Sequence, residues 1–99
     1  MIVLDIIQYS EKRAIEMSKF LMDKKYALQI HIDTNKIYNE DGEMVTIRLF
    51  FITKALLFDV IEKEIKEYFF CPELLIYATP VSHVSKEFGE NLRLNLKPV

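Results

Sequence analysis

Two glycines and three prolines in 99 residues leave no flexible linker and no glycine-rich cradle for phosphate. Repeats and low-complexity segments are also missing, so residues 1–99 read as one domain. The lone Cys71 cannot form an intrachain disulfide, and nothing points to an oxidising compartment. No apolar run approaches the roughly 18 residues of a membrane span. The opening Met-Ile-Val-Leu-Asp-Ile-Ile has no basic residue and is interrupted by Asp5, unlike a signal peptide. A cytoplasmic location is expected. The net charge is only −2, with acids and bases interleaved, which argues against nucleic acid or an anionic membrane as partner. Two histidines and no nucleophile elbow give no Ser-His-Asp set. Glu62, Glu64, Glu67 and Glu73 read as a solvated acidic run on and after a helix. The protein is therefore expected not to be an enzyme.

What the chain does have is apolar mass. Hydrophobic residues are 51% and aromatics 12%, much for a domain with so little interior. Some of these side chains should meet another subunit. The stretch from Tyr26 to Thr53 organises the rest. Two β-rich arms flank the polar turn Asn39-Glu40-Asp41-Gly42, a strong hairpin signal. In the first arm Leu28, Ile30 and Ile32 alternate with Gln29, His31 and Asp33. In the second, Val45, Ile47, Leu49 and Phe51 alternate with Met44, Thr46, Arg48, Phe50 and Ile52. A two-residue turn, at Glu40-Asp41 or Asp41-Gly42, pairs even positions of one arm with odd positions of the other. It sets Ile30 and Ile32 beside Leu49 and Phe51, and Arg48 beside Asp33. Ile37 then falls on the His31–Asp33 face.

The flanking segments complete the order. Ile2 to Ile7 is a nearly all-apolar strand. Ser10 is placed to cap a helix running to about Lys24, with Ala14, Met17 and Leu21 inside. Thr53 is placed to cap a second helix over 54–68, striped by Leu57, Phe58, Ile61, Ile65 and Tyr68. Leu74 to Pro80 is a short apolar strand. Val84 to about Leu92 suits a third helix, and the alternating tail from Leu94 suits an edge strand. The order strand, helix, strand, strand, helix, strand defines an α+β ferredoxin-like sandwich. Its four-stranded antiparallel sheet carries both main helices on one face, with a long hairpin between the second and third strands.

With that order the chain resembles the CutA divalent-ion tolerance family over nearly its whole length. The matching pieces are Lys25-Tyr-Ala-Leu-Gln-Ile, Ile37-Tyr38, Gly42, Leu57-Phe58, Ile65-Lys66-Glu67 and Pro72-Glu73-Leu74. The resemblance implies a homotrimer built round long hairpins, and a role in tolerance of copper or another divalent metal. Gln29 stands where members often carry cysteine, and Asn39 and Glu40 where they often carry tryptophan. Tyr68-Phe69-Phe70-Cys71 replaces a His-Pro-Tyr segment. The candidate metal donors are therefore His31 and Asp33, two apart on one strand face, and the soft thiol of Cys71. Read without the resemblance, His31 and Asp33 belong to a solvated polar face and Cys71 to a packed thiol. Two further classes share the outline, a PII-like ligand-sensing or signalling trimer and a purely structural assembly module.

Overall fold

The computed structural model describes residues 1–70 and 73–99. The opening strand, β1, is Ile2–Gln8, and Glu11–Asp23 forms α1. Ser10 caps that helix as expected, its hydroxyl accepting from the Arg13 N–H at 3.2 Å. The helix closes on Lys25, whose φ of 60° is the left-handed value usually filled by glycine. Its N–H donates to the Met22 carbonyl and that of Tyr26 to the Leu21 carbonyl, which satisfies the last turn.

The hairpin consists of β2, His31–Asn39, and β3, Gly42–Thr53. Its first arm is shorter than its alternation implied. Tyr26 and Ala27 are buried, and the Tyr26 carbonyl accepts from the Thr53 hydroxyl at 2.7 Å. That bond also removes Thr53 as a helix cap. A 3₁₀ turn over Ala55–Leu57 leads instead into α2, Phe58–Tyr68, with no side-chain cap. Glu40 and Asp41 form the turn, so Asp33 faces Arg48 and Ile32 faces Leu49, the register that a two-residue turn requires. Asn39 Oδ1 accepts from the Asp41 N–H, and Gly42 takes the positive φ of 107° that the exit needs. Ile37 pairs with Met44 in unbroken register.

The last strand, β4, is Leu75–Pro80, and the sheet order is β2-β3-β1-β4, all antiparallel. This is the ferredoxin-like sandwich. One sheet face carries Leu4, Ile6, Leu49 and Phe51, which join Ala14, Met17 and Leu21 of α1 and Leu57, Ile61 and Ile65 beneath α2 in one core. Each of the larger of these side chains (Leu, Ile, Met and Phe), fully buried, contributes about 1.5–3 kcal/mol of transfer free energy. Tyr68, expected on the inner stripe, is mostly exposed at the end of α2.

The chain then forms α3, Lys86–Asn95, capped by Ser85. The edge strand expected from Leu94 is not there. Leu92 and Leu96 lie four apart, and both are buried on the inner side of this helix and its cap, while Leu94 points out. Phe88, Asn91 and Leu92 stand over Val3, Phe50 and Ile52, on the sheet face away from α1 and α2. The Lys97 N–H donates to the Lys25 carbonyl at 2.8 Å, and Lys54 Nζ to the Lys97 carbonyl at 3.1 Å, which ties the helix down.

Candidate functional site

The sheet face away from the two main helices carries the groups of chemical interest. Strand alternation stacks them in rows. Tyr77, Asp5, Phe50 and His31 form one, and Leu75, Ile7, Arg48 and Asp33 form the next. Arg48 lies between two carboxylates. Its Nη2 donates to Asp33 Oδ2 at 2.8 Å and its Nε to Oδ1 at 3.3 Å, a two-pronged contact across the hairpin. Its Nη1 donates to Asp5 Oδ1 at 3.4 Å. The guanidinium also sits 4.3 Å from the Phe50 ring centre, and the His31 ring stacks on Phe50 at 4.8 Å with 16° between planes.

The two carboxylates differ in surroundings and hence in acidity. The hydrogen bond from Arg48 holds Asp33 below the usual carboxylate range, and the Asn35 amide adds to it at 2.6 Å. Asp5 is 5% exposed, and burial pushes its carboxyl up more than Arg48 draws it down. On the other side of the sheet, burial and the neighbouring Glu64 push the Tyr26 phenol up to about 12. Asp5, Asp33 and Arg48 form a structural ion-pair cluster, which by itself defines no reaction.

His31 and Asp33 share a face, as alternation requires, but both oxygens of Asp33 are already engaged. Among the described residues no three His, Cys, Asp or Glu side chains come together, so His31 and Asp33 alone fall short of a coordination sphere. Cys71 lies outside the described residues. Asp5 was not singled out from the sequence as a site residue, although its charge inside an apolar strand was the available signal. His83 lies exposed in the loop before α3.

Beyond the sheet the hairpin continues alone. Pairing of β3 with β1 ends at Ile47, while pairing with β2 runs on to Gly42. This free ribbon carries Tyr38, 76% exposed, and Val45, 51% exposed, with Ile37 and Met44 half-buried. The molecule measures 43 × 27 × 20 Å. No helix among the described residues is long and apolar enough to cross a membrane.

A four-stranded ferredoxin-like sandwich with a ribbon running beyond it defines the class by its fold. Solved structures sharing that fold include CutA divalent cation tolerance proteins, in agreement with the resemblance in the sequence. CutA1 from Pyrococcus horikoshii matches with a TM-score of 0.88 at 16% identity, over 99% of this chain and 100% of that one. The divalent cation tolerance protein CutA1 from Thermus thermophilus matches with a TM-score of 0.81 at 21% identity, over 98% and 100%. The periplasmic divalent cation tolerance protein CutA from Archaeoglobus fulgidus gives 0.82 at 21% identity, over 98% and 100%. No family model matches the sequence, and no curated protein matches it.

Proposed function

We propose that this chain is a divergent CutA-like protein, non-catalytic and cytoplasmic, that assembles as a homotrimer and handles divalent cations. The observation carrying this reading is the fold match across 99% of this chain and 100% of the Pyrococcus protein. The ribbon supports the assembly part. Five residues per arm extend beyond the pairing with β1, on the order of 17 Å of strand. They expose tyrosine, valine and open backbone edges, a combination that invites pairing with another chain. Docking onto a neighbour's sheet edge is a head-to-tail contact, which forms a ring where the rotation between copies closes.

The metal part rests on the resemblance and on His31, Asp33 and Cys71 as donors, with copper first. Binding should be weak, because Arg48 and Asn35 occupy Asp33 and Gln29 stands where the family often has cysteine. Light scattering after size exclusion should give about three times the 11.7 kDa chain mass. Tyr38→Asp with Val45→Asp should weaken assembly, and a stable monomer at micromolar concentration in the unmutated protein would end the trimer reading. Calorimetric titration with copper, zinc and adenine nucleotides separates a metal-handling protein from a PII-like nucleotide sensor. Tight copper binding that survived both Cys71→Ala and His31→Ala would remove these donors from the reading.

A further inference from the structure

Between α3 and the sheet lies a cavity of about 280 Å³, which shares only His31 with the proposed metal donors. We propose that it binds a neutral, flat heteroaromatic molecule of one or two rings. Size comes first. An apolar cavity of about 150 Å³ is enough to take benzene, so this one has room for a fused bicycle. The walls are chiefly apolar. Val3, Ile52, Leu28 and Leu92 contribute aliphatic surface, and Phe50 and Phe88 contribute rings from the sheet and from the helix. The stacked Phe50–His31 pair adds aromatic surface to the lining, and aromatic rings pack favourably against such surface offset or edge-on.

Charge narrows the class further. Among the described residues no Asp, Glu, Lys or Arg lines the cavity, and Arg48, which sits over the Phe50 ring, is engaged by Asp33 and Asp5. A phosphate, carboxylate or ammonium ligand would lose its hydration there with no counter-charge. The polar lining consists of Gln29, His31 and Asn91, which between them donate and accept hydrogen bonds. A ring N–H or hydroxyl on one edge of the ligand suits that set. A mostly apolar pocket with a few polar groups to fix orientation is the usual form of a small-molecule site. The roof is held at its C-terminal end by Leu96 and the Lys97–Lys25 hydrogen bond.

The inference rests on the lining of a single chain and needs no metal. The test uses the full chain in its native assembly, with indole as probe and indole-3-carboxylate as its charged counterpart. Indole should bind saturably with a Kd at or below about 1 mM, and the carboxylate at least tenfold more weakly. Ile52→Trp, which fills the cavity, should weaken indole binding at least tenfold. Intermolecular NOEs from indole to Phe88 and Leu92 locate the site independently if that variant does not fold. Absence of saturable indole binding overturns the proposal, as does equal affinity for the carboxylate or contacts only to residues outside the cavity. A neighbouring subunit occupying the space would give the first of these results.

Discussion

Arg48 joins three strands through two carboxylates that respond oppositely to pH. Asp33 is acidified by its hydrogen bond from Arg48, so the folded chain binds fewer protons there than the unfolded one. Its stabilisation is present above the unfolded carboxylate value of about 3.9 and is lost as pH falls through the lower folded value. Asp5 is raised by burial, so its folded form retains a proton that the unfolded chain releases. Stability then falls as pH rises from about 3.9 through the raised value. Asp33→Asn should therefore lower the denaturant midpoint at neutral pH, with the deficit fading in acid. Asp5→Asn should match or exceed the parent at neutral pH and lose that advantage below about pH 4. A cycle of Arg48→Met, Asp33→Asn and the double variant should show coupling of about 1 kcal/mol, since both side chains are about a third exposed. Additive effects would mean that the pair contributes nothing, and Asp5→Asn destabilising at neutral pH would reverse the sign assigned to burial.

At the level of elements, the end of α1 offers a local test. Lys25 holds a left-handed conformation that costs an L-residue about 1–2 kcal/mol, part of which glycine's greater unfolded freedom offsets. Lys25→Gly should raise stability by about 0.5–1 kcal/mol, measured as a shift of denaturant midpoint with unchanged slope. A loss would mean that the lysine side chain makes a contact more valuable than the backbone relief. The elements themselves were largely legible in the sequence, because alternation and helical spacing are local. Ser10, the apolar β1, the turn parity and the Arg48–Asp33 pairing all follow from such patterns. Thr53 and the tail were misread because their partners are distant. The Thr53 hydroxyl is claimed by Tyr26, 27 residues away, and Leu96 is buried through helical rather than strand periodicity. The cavity was illegible for the same reason, since its walls come from β1, β2, β3 and α3 and the stretch before β2.

For the whole molecule, β1 is central. It pairs with β3 on one side and β4 on the other, yet it precedes both in the chain. At a synthesis rate of about 5–20 residues per second, β4 emerges roughly 3–14 s after β1. Through that interval an apolar strand waits with at least one edge open, the condition under which copies stack into cross-β aggregates. Asp5 sits in the middle of it, and an ionised carboxylate there opposes such stacking. The residue that is costly to bury in the finished fold thus protects the nascent chain. Asp5→Asn should then lower the soluble fraction on expression even where the purified variant is no less stable, and an unchanged fraction would deny the charge this role. The middle of the sheet is settled by a compromise between the completed protein and the one still being made.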